Sequence, residues 1–210
     1  MHSFIRPNMK TALVVDDHPS IRMALKITLE NIGFDKVDEC DNGAQAINLI
    51  KSEKYNIVVL DIGIPNMDGM SVISAVRKAE INSKILVFTS QSTELYASRC
   101  MMSGAAGFLT KKDGMDDVAV AIKAISSGYT FFPNMSYINQ AVIQKSSLLT
   151  NRELDVLRKI MAGMKNTEIA ESMCLSSKTV STYKTRIMTK MGVSSLVDLI
   201  EAAKRENIEC

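Results

Sequence analysis

The chain has 210 residues, with 25 Lys+Arg against 23 Asp+Glu and a formal charge of +2, a length that suits one large domain or two small ones. With 46% apolar and 23% charged residues, the composition is that of a globular protein and excludes a disordered or fibrous chain. Cys40, Cys100, Cys174 and Cys210 lie far apart without CxxC spacing, and His2 and His18 are the only histidines, so neither a disulfide frame nor a zinc site is expected.

Residues Met1–Asn8 carry no pattern, and a start at Met9 is an open alternative. No apolar run follows a basic cluster, so no signal peptide is expected. From Thr11 onward, short runs rich in Val, Ile and Leu alternate with helical patterns. The expected strands are Thr11–Asp16, Lys36–Cys40, Ile57–Asp61, Lys84–Thr89 and Gly107–Lys111. Four of them are near-continuous apolar runs, as in parallel strands covered on both faces. Helical patterns fall between them at about Ser20–Asn31, Ala44–Ser52, Met70–Ala79, Glu94–Ser103 and Asp116–Ser127. Five β-α repeats make an α/β domain, a doubly wound five-stranded parallel sheet over residues 1–128, with ligands expected at the carboxyl ends of the strands.

The uncharged stretch Ala124–Gln144 is long enough to span a membrane, but Gly128, Pro133 and several Ser and Asn residues make it too polar and too broken. Tyr129–Ser147 has no clean period and reads as a linker, with a short helix expected at Ser136–Gln144. Beyond it lies an all-α module, residues 148–210, with helices at Asn151–Ala162, Thr167–Met173, Ser177–Met191 and Leu196–Arg205. Residues 147–210 hold ten basic and eight acidic side chains, so the net charge of the protein sits there.

Asp16 and Asp17 end the first strand and Asp61 ends the third. In a doubly wound sheet those ends converge, and three carboxylates about 4–6 Å apart repel strongly unless a cation or proton uptake relieves them. An all-oxygen site suits Mg²⁺ better than zinc. Thr89 adds a hydroxyl and Lys111 an ammonium at the ends of the fourth and fifth strands. Metal-holding carboxylates, a nucleophilic carboxylate, a hydroxyl and an ammonium together form a phosphoryl-transfer constellation. A Mg²⁺-dependent phosphatase would also cluster aspartates, but Gly63 stands where the second Asp of the DxDxT pattern belongs.

Asp16-Asp17-His18-Pro19, Leu60-Asp61-Ile62-Gly63-Ile64-Pro65-Asn66-Met67-Asp68-Gly69, Thr89-Ser90 and Gly104–Lys111 resemble the receiver domains of two-component systems over roughly Lys10–Gly128. The resemblance implies that Asp61 accepts a phosphoryl group from a sensor histidine kinase. It implies further that Asp17, Asp61 and the Gly63 carbonyl hold Mg²⁺, with Asp16 acting through metal-bound water. Lys111 would pair with the phosphate, Thr89 would move to hydrogen-bond it, and Phe108 would turn inward behind Thr89. Gly63 and Gln91 occupy places where the family tunes loss of the phosphate. The family's Pro after the Lys is replaced by Lys112. His18 is expected to start the first helix beside Pro19 rather than to act as an acid or base.

In the helical module, Thr150–Glu153 has the Thr-x-x-Glu form of a capping box. Leu154, Leu157, Ile160 and Met161 are expected to face inward. Thr167–Met173, a short turn and Ser177–Met191 give a helix-turn-helix outline, the second helix being available to a major groove. Val180, Ile187 and Met191 share one face of that helix. Lys178, Ser181, Thr182, Thr185 and Thr189 lie opposite, and no acidic residue falls between Ser176 and Val197. Such a face suits DNA, its ammonium groups on phosphates and its hydroxyls on base edges or phosphates.

Leu149–Glu153, Asn166–Ala170 and Leu175–Lys184 resemble LuxR-type helix-turn-helix domains. With the receiver, this is the organisation of NarL/FixJ response regulators, and Gly128–Pro133 with Lys178–Thr185 is similar to the BvgA/EvgA branch. The resemblance implies that Ser181, Thr182 and Thr185 face bases, with Thr179 in the same stretch and Lys178 and Lys184 nearer the backbone. It implies a dimer surface at Leu196, Leu199, Ile200 and Ala203. The expected protein is a cytoplasmic, homodimeric transcription factor and not an enzyme. Its expected partners are promoter DNA, RNA polymerase and a sensor histidine kinase, the branch pointing to a hybrid kinase that relays through a phosphotransfer domain.

Overall fold

The structure is a computed structural model that describes residues 9–64, 69–134, 149–205 and 208. The chain divides into two compact units, one built on a sheet and one all helical. The short helix expected at Ser136–Gln144 lies outside the described residues, as do residues 1–8.

From Thr11 the chain runs β1 (Thr11–Val15), α1 (Pro19–Asn31), β2 (Lys36–Cys40), α2 (Gly43–Ser52), β3 (Ile57–Leu60), α3 (Gly69–Lys78), β4 (Lys84–Thr89), α4 (Thr93–Met102), β5 (Gly107–Thr110) and α5 (Met115–Ser126). All strand pairings are parallel, in the order β2-β1-β3-β4-β5. The order reverses direction at β1 and β3, which opens the crevice of a doubly wound sheet at their carboxyl ends. Helix α1 packs beside α5 and α2 beside α3. The apolar stripe of α1 (Leu25, Leu29) and that of α5 (Val118, Ala121, Ile122, Ile125) close over the central strands in one buried cluster.

Three strands stop one residue before the expected Asp or Lys. Asp16, Asp61 and Lys111 have left the ladder, yet each is still pinned by one backbone hydrogen bond. Asp16 N donates to Cys40 O at 3.2 Å, Asp61 N to Val15 O at 2.8 Å and Lys111 N to Thr89 O at 2.8 Å. A single anchor at the exit of a strand fixes where the side chain starts and frees it to turn toward the crevice.

The start of the expected linker belongs to the sheet unit. Phe131 bridges Gly107 in parallel, donating N–H to Ala106 O at 2.9 Å and accepting from Phe108 N at 2.8 Å, and so covers the free edge of β5. A Cβ on Gly107 would lie 2.8 Å from Phe131 O and 2.8 Å from Ile125 Cδ1, so this approach requires glycine.

The second unit contains α6 (Asn151–Met161), α7 (Asn166–Ser172), α8 (Ser177–Met191) and α9 (Leu196–Arg205). Leu154, Val156, Leu157 and Ile160 of α6, Ile169 and Ala170 of α7, Val180 and Ile187 of α8, and Leu199, Ala202 and Ala203 of α9 form its buried core. Val156 joins the expected inward set of α6, whereas Met161 is only half-buried. The capping box is present: Thr150 accepts from Glu153 N, and the Glu153 carboxylate accepts from Thr150 N at 2.7 Å. Among the described residues no helix is long and apolar enough to cross a membrane.

Candidate functional site

At the carboxyl ends of β1, β3, β4 and β5 the anticipated side chains meet. Asp16 is 1% exposed, Asp61 is 4% exposed, and Thr89 is buried with them. Thr89 Oγ1 donates to Asp61 Oδ1 at 2.6 Å, and Gly63 N donates to the same oxygen at 2.8 Å. Lys111 Nζ donates to Asp61 Oδ2 at 2.6 Å and lies 2.7 Å from Asp16 Oδ2. The Lys111–Lys112 peptide is trans, and the ammonium reaches both carboxylates without the family's proline. Phe108 is buried, two residues before Thr110, the ladder partner of Thr89. Thr89 and Phe108 are thus both buried at this end of the sheet.

Burial is the largest influence on Lys111 and works against its charge. The hydrogen bonds and charges of Asp16 and Asp61 together outweigh it and hold the ammonium pKa above its ordinary value. One ammonium still faces three carboxylates. Asp16 Oδ2 shares that ammonium with Asp61, and Asp17 Oδ1 has only the His18 ring nitrogen beside it, at 2.7 Å, so the cluster keeps an excess of negative charge that a further cation would balance. Ligand atoms of Asp16, Asp17, His18 and Asp61 all lie within 4.8 Å of one another. This acidic pocket is compatible with a divalent metal ion, and the donor set is mostly hard oxygen.

Gly69 sets the shape of the pocket from behind. A Cβ there would fall 2.5 Å from Ile62 Cα and 2.8 Å from Asp61 O, so any side chain would displace the Asp61 loop. A Cβ on Gly63 would lie 3.3 Å from both Asp61 Oδ1 and Gln91 Nε2. Gly63 and Gln91 thus border the Asp61 carboxylate.

On α8, Lys178, Ser181, Thr182 and Thr185 are exposed, and Thr179 and Lys184 are half-buried. Thr179 N is bonded by the Ser176 cap at 3.1 Å, which occupies the start of the helix. Ser181, Thr182 and Thr185 donate their hydroxyl protons to the carbonyls four residues back, at 3.0, 3.1 and 3.2 Å. Ser181 Oγ also accepts from Asn166 Nδ2 at 3.2 Å, while Thr182 and Thr185 keep outward lone pairs as acceptors. Lys190 does not belong to this face: its Nζ donates to Glu153 Oε2 at 2.6 Å.

The expected surface on α9 needs correction. Leu199 and Ala203 are fully buried inside the unit, while Leu196 and Val197, the latter 66% exposed, face out. Ile200 is half-buried. Both a core and a dimer face demand an apolar stripe, and here the core has taken most of it.

Residues 12–123 match the response regulator receiver domain, and residues 147–203 match the luxR family of bacterial regulatory proteins. The chain belongs to the LuxR-type response regulators. Among its relatives is BvgA of Bordetella pertussis, a transcription regulator of virulence factors, 44% identical and covering 93% of this chain and 97% of that one. Another is the DNA-binding transcriptional activator EvgA of Escherichia coli, 35% identical over 94% of this chain and 98% of that one. A solved structure of RcsB from Salmonella, bound to a promoter in the presence of the phosphomimetic BeF3⁻, is similar at 25% identity and a TM-score of 0.59. It covers 93% of this chain and 98% of that one. This response regulator is accordingly a transcription regulator rather than an enzyme, built of a receiver and a LuxR-type DNA-binding domain.

The sequence reading did not anticipate two features. The His18 imidazole turns back over Asp16 and Asp17, although a residue before Pro19 reads as a plain helix start. The partner of Glu153 also went unseen, because it lies 37 residues away.

Proposed function

We propose that Asp61 is the phosphoacceptor of this response regulator and that its phosphorylation controls DNA binding by α8. The observation that carries this reading is the wiring of Asp61. One oxygen is held by Thr89 and Gly63, the other by Lys111, beside two further carboxylates. In the reaction an Asp61 oxygen attacks phosphorus on a kinase phosphohistidine, the P–N bond breaks, and the imidazole leaves with a proton. Asp17, Asp61 and the Gly63 carbonyl would hold Mg²⁺, with Asp16 behind a bound water. When bound, the ion supplies positive charge against the phosphoryl oxygens. Lys111 and Thr89, already bonded to the Asp61 oxygens, orient the nucleophile and then meet the phosphoryl group.

The phosphoryl group would stabilise the inward arrangement of Thr89 and Phe108 and shift the population toward a DNA-binding homodimer. The exposed apolar residues of α9, Leu196 and Val197 with the edge of Ile200, supply the contact between copies. The kinase is of the histidine type, the branch pointing to a hybrid that works through a phosphotransfer domain. RNA polymerase is the downstream partner, and the cytoplasm is the compartment. The promoter-bound RcsB structure supports the DNA step for this chain by similarity.

Incubating the full chain with acetyl phosphate and Mg²⁺ tests the reading. The expected product is an acid-stable, base-labile label that maps to Asp61. Label at a serine or histidine, or none at all, would leave a receiver that acts only by protein contact.

A second expectation concerns α8. Lys184→Ala should weaken binding at all DNA sequences and lower the slope of log affinity against log salt by about 1. Affinity titrations at several salt concentrations measure this, and an unchanged slope removes Lys184 from the phosphate contacts.

A further inference from the structure

We infer that His18 is a ligand side chain of the cation site and that its imidazole biases that site toward Mn²⁺ and neighbouring first-row ions over Mg²⁺. The inference rests on the proposed cation site and specifies its selectivity.

His18 is the N-cap residue of α1, with Pro19 following, and its side chain makes no cap hydrogen bond. The ring is directed elsewhere. His18 N donates to Asp16 Oδ1 at 2.8 Å, a tight local turn that brings the imidazole back over the two aspartates. Nδ1 then lies 2.7 Å from Asp17 Oδ1 and is hydrogen-bonded to Asp16 Oδ1 at 3.1 Å, a bond that an ion held between them would replace. The ring nitrogen thus sits among carboxylate oxygens of Asp16, Asp17 and Asp61, all four residues offering a ligand atom within 4.8 Å of the others. The 2.7 and 3.1 Å spacings suit neighbouring ligands of one octahedral ion, since metal–ligand distances of roughly 2.1 Å place adjacent donors about 3 Å apart.

The rest of the pocket leaves this edge free. Lys111 takes Oδ2 of Asp16 and Oδ2 of Asp61, while His18 sits on the Oδ1 side of Asp16. The ammonium and the imidazole therefore do not compete for one position. The His18 side chain is 60% exposed, so it is free to adjust around an ion without disturbing the core. An imidazole nitrogen adds little to Mg²⁺, which prefers oxygen and water. It adds substantially to Mn²⁺ and the later divalent ions, whose affinity for nitrogen rises along the first row.

The test compares the full wild-type chain with His18→Ala, a substitution at an exposed side chain. Mn²⁺ affinity is read from loss of the free-ion EPR signal, Mg²⁺ affinity from competition, and coordination from ¹⁴N modulation in pulsed EPR of the Mn²⁺ complex. The expected result is ¹⁴N modulation in the wild type that vanishes in His18→Ala. Mn²⁺ affinity should fall about tenfold, with Mg²⁺ affinity within about twofold of wild type. Equal weakening of both ions, or wild-type Mn²⁺ without ¹⁴N modulation, overturns the role of His18. Asp17→Asn separates the two levels: if it leaves Mn²⁺ affinity untouched, the cation site itself fails.

Discussion

Asp61→Asn is expected to cut phosphoryl uptake from acetyl phosphate by at least about a thousandfold while leaving the fold as stable as before. A neutral amide is no nucleophile toward phosphorus, and loss of a reacting group of this kind costs orders of magnitude. Stability follows a different sum. Asp16 and Asp61 are 1% and 4% exposed and share one ammonium, so removing one buried charge relieves repulsion. Against that, an amide cannot accept from Thr89, Gly63 and Lys111 together, and one lost hydrogen bond costs about 1 kcal/mol. The two terms oppose each other, and the net change should stay within about 1 kcal/mol in cation-free buffer. The wild type should also gain stability on adding a divalent cation, and the variant should gain less. Denaturant titration with and without cation, alongside phosphoryl incorporation, measures both. A variant that unfolds by more than about 3 kcal/mol would make Asp61 a structural group.

How much of this was legible beforehand depends on whether a residue's partner is local. The strands read directly from runs such as Ile57–Leu60, because parallel strands covered on both faces have no polar alternation to hide. The carboxylate crevice was legible because residues at strand ends inherit their position from the topology. Phe131 was not: a single bridge at an edge has no period. The stripe on α9 was visible, but periodicity cannot say whether Leu199 and Ala203 meet their own core or a second copy. Lys190 showed its charge and hid its partner, since a four-carbon stem lets an ammonium choose among carboxylates far along the chain.

That hidden partnership yields the second large effect, at Glu153. Its side chain is 3% exposed and accepts from Thr150 N at 2.7 Å, Thr150 Oγ1 at 2.9 Å and Lys190 Nζ at 2.6 Å. The carboxylate thus ties the first turn of α6 to the last turn of α8, where the Lys190 cation also suits the helix dipole. Glu153→Ala removes the carboxylate half of the capping box and a charge-assisted hydrogen bond, leaving Thr150 as the N-cap, and should destabilise the helical unit by about 3 kcal/mol, with DNA affinity falling as α8 loses its anchor. Burial, the largest influence, raises the Glu153 pKa, but the bonds from Lys190 and Thr150 and the charge of Lys190 together hold it below its ordinary 4.5. A carboxyl group lowered on folding contributes stability above its unfolded pKa and loses it as pH falls through the folded one. The unit should therefore weaken below about pH 4.5 in the wild type, and Glu153→Ala should lack that acid step. Circular dichroism of urea unfolding at several pH values reads both effects. Lys190→Met completes the argument: it should weaken the unit yet leave the salt slope of DNA binding unchanged, in contrast to Lys184→Ala. A slope lowered by about 1 would instead place the Lys190 ammonium on a phosphate and not on Glu153.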